Sequence, residues 1–310
     1  MLVQTLIDLE AAAVFAVPLR DGGTHEGMML EGPQGWGEFS PPADCPDQLL
    51  GRWLTAATEV GTVGWPDAVR GRVPVAVGIG AVDPGRAQAQ VLESGCRTAT
   101  VEVHGATGED IDRVAAVRAA LGPDGNIRCD ARERWDAASA VAAIGALDRA
   151  AGGLEFIARP CADHEQLRAV RRLVDVPIAV HAAPDLELRG LADIAILHCG
   201  VLGGARRALR VAEISGMPCV VTSGEQTSVG AAVGVALAGA LPTLPFACEL
   251  GAGLVVAADP VAASRSLVPV VGFLPVAPMS PAPQLPAEHT VTDPERIRWW
   301  RRRLQNAIAQ

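Results

Sequence analysis

The chain contains no lysine. All 26 of its basic side chains are arginine, so nothing here can act as a lysine base, a Schiff-base former or an ammonium clamp. No CxxC pair occurs among the seven cysteines, which are scattered through apolar stretches; reduced thiols in a cytoplasmic protein are the expectation. The first residues lack a basic segment followed by a continuous apolar run, so no signal peptide is expected. The longest apolar helix candidate, residues 229–241, is too short to span a bilayer and is rich in Gly and Ala. A net charge of −9 argues against a nucleic-acid partner. No GxGxxG follows a strand, which weakens an open dinucleotide-binding sheet. The partner these absences leave is a small molecule; the oligomeric state is open.

What is present is enough apolar sequence, 49% of 310 residues, to bury a sizeable core. The amino-terminal 40 or so residues predict a small antiparallel sheet, with strands at 14–19, 27–31 and 36–39 and a Gly32-Pro33-Gln34-Gly35 turn. Residues 46–60 predict an amphipathic helix with Leu49, Leu50, Trp53 and Leu54 inward. From Val73 the pattern changes to alternation. Short apolar strands begin near Val73, Thr98, Ile127, Glu155, Ile178, Ile194, Cys219 and Phe246. Helical patterns at 108–121, 136–150, 163–174, 204–215 and 227–241 separate most of them, with Asp136 and Asp163 as N-caps. Such alternation predicts a compact α/β barrel. The clearest unit is 193–223, a strand–helix–strand whose strands must run parallel. It puts His198 and Ser223 at carboxyl strand ends, where a barrel carries its chemistry. The expected organisation is a capping domain at 1–72, completed by 259–310, and a barrel domain at 73–258. The Pro-rich segment 268–286 and the Arg-rich helix 294–309 are expected to return over the amino-terminal sheet.

Several segments together resemble the o-succinylbenzoate synthases of the enolase superfamily, in particular the actinobacterial type. They are Gly32-Pro33-Gln34-Gly35-Trp36-Gly37-Glu38-Phe39, Val174-Asp175-Val176-Pro177-Ile178-Ala179, Leu202-Gly203-Gly204, Thr227-Ser228-Val229-Gly230, Ala240-Leu241-Pro242 and the Trp299-Trp300 helix. The resemblance implies an α+β capping domain on a modified (β/α)7β TIM barrel. It also implies Mg2+-assisted proton abstraction beside a carboxylate, followed by loss of water.

Followed position by position, the resemblance breaks at the chemistry. The family's Lys-x-Lys pair falls at Thr100 and Glu102, and its sixth-strand Lys at His198. The first metal-binding Asp is Asp130, but the second ligand falls at Ala158 and the third in the run His181-Ala182-Ala183. One carboxylate is too few for Mg2+, which prefers octahedral oxygen, so no metal and no other cofactor is expected. A transition metal held by His181, His198 and a carboxylate is the alternative. The exchanged residues suggest a metal-independent lyase, isomerase or cyclase on a small carboxylate or carbonyl compound, with specialised metabolism as the expected setting. In that reading Glu102 and His198, on opposite walls, move protons, with His181 and Asp130 beside them. Arg132 and Arg159 stabilise developing negative charge. Thr100, Ser223, Gly203 and Gly204 complete the substrate contacts. His104, Glu225 and Glu249 read as spectators, and His25, His164 and His289 as surface residues. The competing readings are a non-catalytic binding protein on the same scaffold and an authentic o-succinylbenzoate synthase.

Overall fold

The computed structural model describes residues 7–277 and 279–310. The amino-terminal sheet is antiparallel, in the order β1 (Ala13–Pro18), β2 (Thr24–Gly32), β3 (Gly35–Phe39). Alternation along its strands divides two buried faces. Val14, Met28, Leu30 and Phe39 pack with Leu50 and Trp53 of α1 (Asp47–Val63) and with Trp300 and Leu304 of α10 (Pro294–Ile308). Phe15, Val17 and Met29 on the other face meet Val229, Val256 and Val261 from the barrel side. The carboxyl-terminal segment therefore does return over this sheet: α10 packs on α1, and Phe15 bridges Thr290.

The second layer is a curled parallel sheet. Its elements in chain order are β4 (Arg72–Pro74), β5 (Val77–Ile79), α2 (Pro84–Ser94), β6 (Thr98–Glu102), α3 (Gly108–Leu121), β7 (Asn126–Asp130), α4 (Ala137–Ala151), β8 (Phe156–Ala158) and α5 (His164–Arg171). They continue as β9 (Ile178–His181), β10 (Ile194–His198), α6 (Cys199–Leu202), α7 (Ala205–Ser215), β11 (Cys219–Thr222), α8 (Ser228–Ala240), α9 (Ala252–Val255) and β12 (Phe273–Pro275). Seven strands pair in the order β11-β10-β9-β8-β7-β6-β5. The eighth position is no regular strand. Residues 248–249 close the barrel by bridges from Cys248 to Val75 and from Glu249 to Thr222. The strand expected near Val73 is split: β4 pairs antiparallel with β12, outside the barrel, and β5 enters it.

Period-two alternation sets what the barrel holds. Ala99, Val101, Ile127, Cys129, Ala195 and Leu197 point outward into the core shared with the helices. Phe156, Ala158, Ala179, Ile194, Ile196 and Val220 fill the interior. Arg128 is also inside, fully buried and stacked on Phe156, with its charge met by Glu155 at 2.5 Å. The same alternation turns Thr100, Glu102, Asp130, His181 and His198 inward at the carboxyl ends, under the cap.

Candidate functional site

The register places Glu102 beside Asp130, and Asp130 beside Ala158, at one level of the mouth. Glu102 is not a free base. Its two oxygens meet Arg132 at 2.9 Å and Arg134 at 3.0 Å, with His104 at 3.7 Å. Asp130 is clasped by Arg159, whose Nε lies 3.1 Å from one oxygen while an Nη donates to the other, and it also accepts from the Arg132 backbone N–H at 2.9 Å. This is a planar two-point pair. Burial opposes the Arg159 charge, but its hydrogen bonds to Asp130 and that carboxylate's charge hold its pKa above the usual range. Arg132 and Arg159 both sit at φ 49°, in the left-handed region. Such strain is uncommon outside glycine and concentrates at working sites. Thr100 donates to Glu249 at 2.5 Å, so Glu249 takes part in the mouth's hydrogen bonding.

Four strand positions separate β6 from β10, so Glu102 and His198 do stand on opposite walls. They line adjoining cavities. Thr100, Glu102, Asp130, Arg132 and Glu249 line a cleft of about 220 Å³. His181, His198 and Ser223 line a separate chamber of about 600 Å³, together with Trp53, Arg296 and Trp299. Gly224 and Glu225 border both.

The expected acid–base role of His198 does not fit its surroundings. Its Nδ1 accepts from the Gly200 N–H at 3.1 Å, so Nε2 carries the proton and donates to the Ser223 carbonyl at 3.2 Å. Trp53 covers the ring at a centroid distance of 5.0 Å. Burial pushes its pKa down to about 4. Both nitrogens are committed to backbone, leaving neither a lone pair nor a proton for a ligand. His181 differs: no protein hydrogen bond engages its ring among the described residues. Burial, then the charges of Arg159 and His198, lower its pKa to about 3, so it is neutral near pH 7.

Gly203 and Gly204 are also corrected. They lie buried under α1, where the Glu59 carboxylate occupies the α7 amino terminus, accepting from the Ala205 N–H at 2.5 Å and the Arg206 N–H at 3.1 Å. An anion already fills the place a substrate anion would take. Gly204, at φ 107°, abuts that carboxylate. Ser223 is buried and directed to the Glu249 carbonyl at 3.3 Å.

His25 is not the surface residue expected. It is 8% exposed, lines the larger chamber, and donates to or accepts from Glu38 at 2.8 Å. The signal was in the strand pattern: the registers Val17↔His25 and Met29↔Glu38 put both side chains on the sheet face turned to the barrel. Arg134 was missed because a loop residue carries no periodicity. The cysteines behave as apolar packing residues; all seven are free, and burial raises Cys161 and Cys248 to about 11.

The residues at the mouth do not fit Mg2+. The Asp130 oxygens are taken by a guanidinium, Ala158 offers no donor, and His181 offers nitrogen rather than oxygen. The His181–His198 alternative fails because His198 has no free lone pair. Among the described residues no three His, Cys, Asp or Glu side chains are grouped to hold a metal ion.

Comparison with known proteins gives this architecture its relatives. Residues 85–275 match the family described as Enolase C-terminal domain-like, and residues 14–61 match Enolase N-terminal domain-like. The o-succinylbenzoate synthase of Thermobifida fusca is 44% identical over 95% of each chain. That of Mycobacterium leprae is 34% identical over 99% of this chain and 95% of its own. Among solved structures, a dipeptide epimerase from Enterococcus faecalis superposes with a TM-score of 0.73 at 20% identity, over 89% of this chain and 97% of that one. Muconate lactonizing enzyme from Pseudomonas putida gives 0.70 at 17% identity, over 95% and 98%. Family match, relatives and barrel-plus-cap architecture agree: the chain belongs to the enolase superfamily.

Proposed function

We propose that this protein is an o-succinylbenzoate synthase-like lyase or isomerase that acts on a small carboxylate without Mg2+. The observation that carries the reading is the Asp130–Arg159 pair. The carboxylate that the family resemblance assigns to the metal is bound here by a guanidinium. The two cationic side chains Arg132 and Arg159, held on strained backbone, supply positive charge where a metal would. Fixed guanidinium charge in a partly enclosed site can stabilise an ene-diolate as it forms. His181, neutral and without a protein partner, is the hydrogen-bonding group next to that charge; a neutral imidazole can polarise a carbonyl by donating to it. Glu102 and His198, committed to arginines and to backbone, become positioning groups in this reading. The lysines on which the family relies have no counterpart in a chain without lysine.

A non-catalytic carboxylate-binding protein is the second reading. It is favoured by that same commitment of Glu102 and His198. Exchange of carbon-bound hydrogen in D2O separates the two. The panel is o-succinylbenzoate, muconate, L-Ala-L-Glu and N-succinyl-arginine, compounds for which relatives and structural neighbours are named. The proposal predicts protein-dependent deuterium uptake or turnover of at least one compound, unchanged by EDTA. Arg159→Ala should lower it by about 10²-fold or more. Binding without exchange would support the second reading, and activity abolished by EDTA would refute metal independence.

A further inference from the structure

The cap contributes His25 to the wall of the 600 Å³ chamber, backed by the Glu38 carboxylate, and the reaction outlined above leaves this pair unused. Glu38 is completely buried, yet all of its lone-pair directions are met. Oε1 lies 2.8 Å from His25 Nε2 and accepts from Ser40 Oγ at 2.7 Å. Oε2 accepts from the Thr227 N–H at 3.2 Å and from the Thr227 hydroxyl. A carboxylate that accepts from donors on both oxygens can only accept from the imidazole as well. His25 Nε2 therefore carries the proton, and the Nδ1 lone pair is left free. No protein group engages Nδ1 among the described residues, and His25 lines the chamber. This is the logic of an acid-oriented histidine base: the carboxylate fixes tautomer and ring, and stabilises the imidazolium that forms.

The chamber also suits a carboxylate with a cyclic body. Trp53 and Trp299 supply aromatic surface, and Arg296, stacked 4.1 Å from the Trp299 ring and paired through Nε with Glu26 at 2.5 Å, keeps its Nη groups as donors for a carboxylate. His181 lines the same space.

We propose that His25 is the proton acceptor for a small cyclic carboxylate bound in this chamber, with Glu38 as its positioning residue. The proposal rests on the small-carboxylate reading above and adds the base that reading lacks. In the step itself, Nδ1 takes a proton from the carbon next to a carboxylate or carbonyl group. The C–H electron pair stays on the ligand as an enolate or ene-diolate, and His25 becomes an imidazolium against Glu38. Return of the proton to carbon restores both.

Two measurements test this on the whole protein. Long-range 1H–15N correlation spectra of 15N-histidine protein should show His25 as the Nε2–H tautomer, with Nδ1 shifting when o-succinylbenzoate is added. In D2O exchange, His25→Ala should lower kcat by about 10²-fold with little change in KM, and added imidazole should restore part of the loss. His25→Gln should be as impaired, and the exposed His164→Ala should match wild type. An Nδ1–H tautomer, or exchange unchanged in His25→Ala, would overturn the proposal. Wild type that exchanges none of the panel defeats the catalytic reading instead. The proton-acceptor role of His25 then falls with it, whatever tautomer the spectra show, whereas exchange by wild type that persists in His25→Ala overturns the His25 proposal alone.

Discussion

At the scale of single residues, burial decides more than identity does. His198 and His181 were legible as strand-end histidines, and the structure does place both at the mouth of the barrel. What the sequence could not convey is that Trp53 and two backbone groups close around His198. The consequence is measurable. An unfolded histidine titrates near 6.5, whereas folded His198 titrates at about 4 and His181 at about 3. Between those values the unfolded chain binds more protons, so stability is full above about pH 6.5 and falls as pH drops through the folded pKa values. The shift at His198 corresponds to up to about 3 kcal/mol. Urea unfolding between pH 7 and pH 4 should show this loss, and His198→Gln should flatten the decline. An unchanged slope in the variant would mean that His198 is not held neutral. Glu102 teaches the complementary lesson. Its inward position followed from alternation, but its partners Arg132 and Arg134 come from a loop in left-handed and irregular backbone, which no period predicts.

Among the elements, those with strong end signals were readable. The start of α3 at Gly108 and of α4 after the Asp136 cap follow directly from the sequence, and Asp136 does accept from the Ser139 N–H at 2.8 Å. Helix α2 was missed although Asp83 and Pro84 mark its start and Gly95 its end, because its Ala-Gln-Ala-Gln stretch gives a weak apolar stripe. Gly203 and Gly204, expected as substrate contacts, stand at the α7 amino terminus, a place that can hold an anion. Its occupant is instead intramolecular: Glu59 reaches over from α1 to two backbone N–H groups and to Arg206 at 3.2 Å. This contact fastens cap to barrel. Glu59→Ala should therefore cost about 1–3 kcal/mol by denaturant unfolding, through lost capping and unpaired donors. A cost within error of zero would show that water replaces the carboxylate without penalty.

For the whole molecule, the alternating pattern made the barrel legible and the carboxyl-terminal Arg-Trp helix pointed back to the cap. The irregular closure was not legible: residues 248–249 complete the barrel with isolated bridges, and β4 and β12 form a ribbon outside it, too short to leave a periodic trace. The cap depends on its last helix. Trp300 is 2% exposed and packs edge-on to Phe39, so Trp300→Ala should cost about 3–5 kcal/mol in thermal or urea unfolding. The histidine chamber lies between cap and barrel, which is why its cap-borne His25, with Glu38 behind it, was the part of the site hardest to foresee. In the proposed reading arginine, not a divalent cation, balances the charge at the barrel mouth. Isothermal titration of the purified protein with MgCl2 tests it most directly. The Asp130–Arg159 pair predicts no saturable binding, whereas a stoichiometric Mg2+ site abolished by Asp130→Asn would contradict it.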